Sequence, residues 1–180
     1  YPTVHDKIRL GAFQAVTKAW EVDPVPHPFS FALLEDDWEH FAPPLAAGQY
    51  RLPILEEVGF ERFVNGPESF TPDANFLLGP APSVAGIWIA AGMNSAGLAF
   101  GGGVGEALAA WLLDGHQPFD LSMVDPARFA PEQNDLGYLR QRVTEALGTH
   151  YLMAYPNREL LTGRPLRVSP VHDVIQAHGA

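Results

Sequence analysis

The 180-residue sequence predicts an α+β fold, and three observations carry that prediction. Short apolar runs separated by turn residues fill the first half, as antiparallel strands would. In the middle, an apolar run passes through a glycine-rich stretch into a segment of helical period. The last third spaces aromatic residues among prolines and polar residues, which predicts an irregular wrap with one or two short helices. Seventeen glycines and seventeen prolines predict many turns and few long helices.

The elements follow in order. Alternation over 8–13 (Ile8-Arg9-Leu10-Gly11-Ala12-Phe13) and over 15–17 predicts one or two strands. Pro24, Pro26 and Pro28 impose an extended connector. Carboxylates over 36–41 mark a helix start. Pro43-Pro44 is expected to interrupt that helix, which can restart over 45–50. Residues 60–64 read as a strand ending at Asn65-Gly66. Residues 76–79 read as a strand stopped by Pro80, and 86–92 as a buried strand bounded by glycines. A small-residue loop is expected over 93–103 and a helix over 104–113, capped by Gly115. Helices are predicted over 136–147 and 171–177. Several strands should therefore come from residues 1–90, with one helix packed on them.

Composition removes whole classes of function. An apolar fraction of 47% with 18% charged residues supports a packed core and excludes a disordered tail. Twenty-one acidic against eleven basic residues give a net charge of −10, so a nucleic-acid binder is not expected and anionic membrane surfaces are disfavoured. Without cysteine there is no disulfide, thiolate zinc site, iron–sulfur cluster or cysteine nucleophile. Residues 87–113 are apolar, but Asn94, Ser95, six glycines between 92 and 105 and Glu106 argue against a membrane span. A start at Tyr1 without a basic-then-apolar leader points to a cytosolic protein or a piece of one.

The glycine-rich turn is the principal candidate for chemistry. A strand feeding a helix through glycines presents backbone N–H groups at the helix N-terminus, where they favour an anion or a carbonyl oxygen. Gly97, Gly101, Gly102, Gly103 and Gly105 permit close backbone approach, or serve only to pack the helix on a sheet. Two phosphate motifs are absent: the G-x-G-x-x-G spacing fails at Glu106, and no Gly-Lys-Ser/Thr follows. Ser95 invites a hydrolase reading with His116, His150 or His172 as base, but an elbow needs glycine two residues before the serine, where Met93 stands. Its alternative is a helix N-cap or a loop hydroxyl. The histidines show no metal-ligand spacing, and Glu35-Asp36-Asp37 and Glu56-Glu57 read as solvated acids.

The most specific signal is an ordered series of short motifs. Asn65-Gly66-Pro67-Glu68-Ser69-Phe70-Thr71-Pro72-Asp73 is followed by Leu78-Gly79-x-Ala81-Pro82 and Ala91-Gly92-Met93-Asn94-Ser95-Ala96-Gly97. Gly101-Gly102-Gly103-x-Gly105 and Leu108-Ala109-x-Trp111 come next, then Asp120-Leu121, and Asp125 with Arg128-Phe129. Tyr155-Pro156-Asn157-Arg158-Glu159 and Arg164-Pro165-Leu166-Arg167-x-Ser169-Pro170-x-His172-Asp173 close the series. Together these resemble the dimethylglycine and sarcosine dehydrogenase family, FAD-dependent amine dehydrogenases fused to a folate-binding domain similar to the glycine-cleavage T-protein.

The resemblance implies a division of the chain. Residues 1–65 would belong to a substrate-binding domain, 66–115 would be the C-terminal strand–turn–helix of the FAD domain, and 116–180 would lead into the folate domain. The chain would then be an internal segment, inactive alone, with FAD held mainly by parts outside it and tetrahydrofolate bound in the following domain. Gly92, Met93, Asn94, Ser95, Ala96 and Gly97 would contact the flavin, with Asn65, Thr71 and Asp73 shaping the nearby turn. Tyr1 falls near a tyrosine pair that lines the substrate pocket in relatives. In similar amine oxidases a lysine just after the turn binds the substrate carboxylate; Leu98, Ala99 and Phe100 occupy those positions here. The implied substrate is a small N-methyl amino acid, and the electron acceptor an electron-transfer flavoprotein or oxygen. The implied compartment is cytoplasmic, or the mitochondrial matrix in a eukaryote. A second hypothesis is a scaffold or subunit that completes a separate flavoprotein, and exposed apolar edges leave room for an oligomer or partner chain.

Overall fold

The computed structural model describes residues 7–20, 25–153, 155–156 and 158–179. Its architecture is α+β: a two-stranded antiparallel sheet and four α-helices, joined by single 3-10 turns and irregular chain, among the described residues.

The first helix, α1 (Trp38–Arg51), starts at Asp37, whose carboxylate accepts the His40 N–H at 2.9 Å as an N-cap. It runs through Pro43 and Pro44 without the expected interruption. Each proline removes the N–H that would bond four residues back, at Glu39 and His40. The His40 carbonyl takes the Gln14 side-chain amide instead, so residues 7–20 help keep the helix whole. Those residues are not the predicted strands: only an isolated bridge at Ile8 appears. They are fastened by side chains, with Leu10 against Gly48 and the Thr17 hydroxyl donating to the Thr144 carbonyl at 3.1 Å. Residues 60–64 are also not a strand. Phe60 and Phe63 pack their rings on Trp38, with centroids 4.9 and 4.5 Å away. Apolar alternation there serves aromatic packing in place of a ladder.

The strands predicted in the middle exist: the first is shifted by one residue and includes Pro80, and the second is shorter than read. β1 (Leu77–Pro80) pairs with β2 (Trp88–Ala91), with Leu78 opposite Ala90 and Gly79 opposite Ile89. Leu78 is fully buried and its N–H reaches the Val124 carbonyl at 2.8 Å. β2 is not the buried strand expected; Trp88 and Ile89 are half-buried, Ala90 and Ala91 exposed. Helix α2 (Gly97–Asp114) begins seven residues earlier than expected and absorbs most of the predicted small-residue loop. Its glycines cost helix propensity. The packing of Val104, Ala107 and Trp111 on Leu78, Leu121 and Val124 compensates. Trp88 meets Trp111 edge-to-face at 5.4 Å and 84°, an arrangement worth about 0.5–1.5 kcal/mol beyond burial. At Gly79 the backbone has φ 141°, and a Cβ there would sit 3.0 Å from the Trp111 ring, so glycine lets this ring settle on the strand. Gly115 ends α2 in the left-handed region, φ 75°, as predicted.

The tail matches its reading closely. α3 (Leu136–Gly148) is capped by Asp135, which accepts the Tyr138 N–H at 2.8 Å, and α4 (His172–Ala177) is the short final helix. Gly148 abuts the Ala15 carbonyl, where a Cβ would lie 2.3 Å from the oxygen, so the N-terminal stretch rests on α3. No helix among the described residues is long and apolar enough to cross a membrane.

Candidate functional site

The six residues of the candidate turn lie together between β2 and α2. Gly92 has φ 62°, and a Cβ on it would come within 2.9 Å of the Thr71 methyl carbon. Asn94 and Ser95 follow at φ 47° and 67°. Two successive non-glycine residues in the left-handed region are costly unless the surroundings over-determine them. Here they do. Asn94 is only 3% exposed, and its carboxamide bridges two strands of chain. Its Oδ1 accepts the Thr71 N–H at 2.9 Å, while its Nδ2 donates to the Gly92 carbonyl at 2.7 Å. Met93 accepts the Ala96 N–H at 2.9 Å through its carbonyl, which closes the turn into the helix.

Thr71 is fixed in its own loop. Its hydroxyl donates to the Asn75 carbonyl at 2.7 Å, and the Asp73 carboxylate accepts the Asn75 N–H at 3.1 Å. Arg128 then grips Asp73 with two parallel bonds, Nε to Oδ2 at 2.7 Å and Nη2 to Oδ1 at 3.0 Å. Burial alone would raise the Asp73 pKa. The Arg128 hydrogen bonds, the Asn75 N–H, the Arg128 charge and the Thr71 hydroxyl outweigh it, and the net shift is downward.

The predicted residues are placed as follows. Gly92, Met93, Asn94, Ser95, Ala96 and Gly97 form the turn, and Thr71 and Asp73 brace it, as read. Asn65 does not: its side-chain amide donates to the Glu35 carbonyl at 2.7 Å and ties the chain at 34–35 to 65. Tyr1 lies outside the described residues. Ser95 is not the N-cap, which is Ala96. Its hydroxyl donates to the Glu68 carboxylate at 3.0 Å, not to a histidine, so the hydrolase reading has no base. Arg128 appears in the motif series but was given no role at the turn, and Asn75 was missed. The available signal was an arginine set between Ala127 and Phe129 in a chain otherwise rich in acids.

The turn can serve an electron-rich carbonyl or an anion. Its helix N-terminus carries no side-chain cap and no acid in the first turn. The first backbone N–H groups of a helix have no intrahelical acceptor, so they are available donors. Gly101, Gly102, Gly103 and Gly105 have open space where a Cβ would stand, which suits the close approach of a flat ring. This donor set fits the pyrimidine edge of a flavin. Glu68 contributes an opposing charge at the rim, but it is exposed and engaged by Ser95.

Comparison with known proteins identifies the family. The family model described as "FAD dependent oxidoreductase" matches residues 1–111, and "FAD dependent oxidoreductase central domain" matches 114–169. The chain is 42% identical over 179 residues to 4-methylaminobutanoate oxidase (formaldehyde-forming) of Paenarthrobacter nicotinovorans, covering 96% of this chain and 22% of that protein. It is 42% identical over 147 residues to the mitochondrial pyruvate dehydrogenase phosphatase regulatory subunit of Mus musculus, covering 82% and 17%. It is 36% identical over 175 residues to mitochondrial sarcosine dehydrogenase of Homo sapiens, covering 97% and 19%. The chain thus spans about a fifth of the length of these relatives. With its first 111 residues matched by that family model, the chain belongs to the FAD-dependent oxidoreductases, as its motif series led us to expect.

Proposed function

We propose that this chain is part of an enzyme that oxidises the N-methyl group of a small amino acid, and that residues 92–97 face its flavin. The carrying observation is the braced turn itself: an uncapped helix N-terminus, locked by buried Asn94, in a chain of this family. Two relatives support the substrate class, since sarcosine and 4-methylaminobutanoate are both N-methyl amino acids.

FAD, when bound, would supply the acceptor for the hydride of the N-methyl C–H. The backbone N–H donors at the start of α2 would hold the side of the ring that gains negative charge, which would favour the reduced cofactor. Thr71 and Asn94 would keep those donors in place. The substrate carboxylate is bound elsewhere, because Leu98, Ala99 and Phe100 offer it no cation. We further propose that the one-carbon unit passes to tetrahydrofolate outside these residues, and that electrons leave to an electron-transfer flavoprotein or oxygen. The 180 residues alone would be inactive, because they hold no phosphate-binding glycine loop.

The test is anaerobic addition of sarcosine, dimethylglycine or 4-methylaminobutanoate to the native protein loaded with FAD. Bleaching of the visible flavin band is expected with at least one. A flavin that none of the three reduces would overturn the enzymatic reading. It would favour a subunit role, to which the relative named as a regulatory subunit already lends weight.

A further inference from the structure

We infer that Arg128 is a positioning residue for the turn at 92–97, acting through Asp73, Thr71 and Asn94. This rests on the flavin reading above. Arg128 lies in the stretch matched by the central-domain model, whereas Asp73 and Asn94 lie in the stretch matched by the other. One guanidinium therefore joins the two matched stretches through residues 55 apart in sequence, Arg128 and Asp73.

The joint is rigid at both ends. Besides its two bonds to Asp73, Arg128 donates to the Asn75 carbonyl at 2.7 Å and to the Asp125 carbonyl at 3.0 Å. The Asp125 carboxylate accepts the Ala127 N–H at 2.8 Å and caps the 3-10 turn Pro126–Arg128 that carries the arginine. The Phe129 ring lies 4.2 Å below the guanidinium. Its side chain is 14% exposed, so little water competes for the bonds. The planar fork matters, since a lysine's single ammonium cannot reproduce the two parallel bonds to the Asp73 carboxylate together with the Nη1 bond to the Asp125 carbonyl. At the far end, the Asn75 and Asp73 contacts set where Thr71 stands, and the Thr71 N–H sets where the Asn94 carboxamide stands. Asn94 and Ser95 hold left-handed backbone, which costs non-glycine residues energy unless their surroundings fix it. Releasing Arg128 lets the 71–75 loop relax, and the turn follows.

The experiment uses the native protein in two readouts. Hydrogen exchange follows the Thr71 amide with no requirement for cofactor, and the flavin midpoint potential follows the aim of the turn. Arg128→Gln and the shape-preserving Asp73→Asn should both speed exchange at Thr71. Both should lower the ratio of reduced to oxidised flavin about tenfold at a fixed ambient potential, which is about 30 mV for a two-electron couple. Arg128→Lys should fall between these and the wild type. Arg164→Gln, which removes an exposed pair with Glu159, should change neither readout. Unchanged exchange in both variants would overturn the inference, and so would faster exchange with an unchanged potential. A wild-type protein that takes up no FAD would instead overturn the proposed function, and Thr71 exchange would still decide whether Arg128 holds the turn.

Discussion

Asp73 and Glu145 perform the same task in two regions of the molecule, yet only the first governs a buried turn. Each carboxylate gathers donors from a loop. Asp73 takes the Asn75 N–H and the Arg128 fork, while Glu145 on α3 accepts the Leu161 N–H at 2.9 and 3.0 Å and the Thr162 N–H at 2.8 Å. Each has its pKa lowered: burial would raise Glu145 too, but the Thr162 hydroxyl, the two loop N–H groups and nearby Arg142 prevail. The difference lies at the far end. The Asp73 brace ends in Asn94, almost wholly buried, whereas the Glu145 brace ends in a loop where Leu161 and Arg164 are exposed. A hydrogen bond's structural weight depends on what would be left unpaired without it.

The largest test of that contrast is at the far ends. Asn94→Ala leaves the Thr71 N–H and the Gly92 carbonyl without their partner in a buried place, and should cost about 2–3 kcal/mol. Thr162→Ala at the other brace should cost less than about 1 kcal/mol. Denaturant unfolding of the native protein measures both, and equal losses would break the comparison. Next come two glycines, one beside each brace. Gly92 and Gly163 have φ of 62° and 67°, with a Cβ 2.9 Å from Thr71 Cγ2 or 2.6 Å from Tyr138 Cδ2. Alanine at either should cost about 1–3 kcal/mol, because backbone strain does not depend on burial of the brace. Midpoint shifts that differ severalfold would mean one site relaxes where the other cannot.

Acid sharpens the contrast further. Both folded pKa values are depressed, so each carboxylate contributes stability above its unfolded pKa and loses it as pH falls through the folded value. The window therefore opens below about pH 4, the ordinary carboxylate value. Unfolding midpoints of Asp73→Asn should depend less on pH there than wild type, and those of Glu145→Gln should show a smaller flattening of the same sign. A variant steeper than wild type would contradict the assigned shift. The smallest effect belongs to Ser95→Ala. Its exposed bond to Glu68 should be worth within about 0.5 kcal/mol in denaturant unfolding. A loss well above about 1 kcal/mol would mean that this surface bond helps hold the turn.

Legibility in the sequence followed the range of the forces. Helix α3 was readable to within a residue because Asp135 and the apolar period are local. Gly115 was readable because a left-handed cap needs only its own missing Cβ. Asn94 and Ser95 were placed in the turn, but their left-handed backbone was not foreseen, since it depends on Thr71 across 23 residues. The strands expected over 8–17 and 60–64 failed because alternation shows which side is apolar, not whether a partner strand exists. Asn65 was assigned to the wrong neighbour because its acceptor, the Glu35 carbonyl, lies 30 residues back in the chain.

Local forces alone were enough for the family, the α+β class, the order strand, glycine-rich turn, helix over 86–113, and the helices of the tail. These rest on local propensity, caps and short motifs. Only the tertiary structure decided that α1 would run through Pro43 and Pro44, that α2 would start at Gly97, and that Arg128 would seize Asp73. Each outcome depends on a group far along the chain: the Gln14 amide, the Leu78–Trp111 core or a guanidinium 55 residues away. Propensity settles what a segment tends to form alone; a buried carbonyl, ring or carboxylate settles it again once a distant partner arrives.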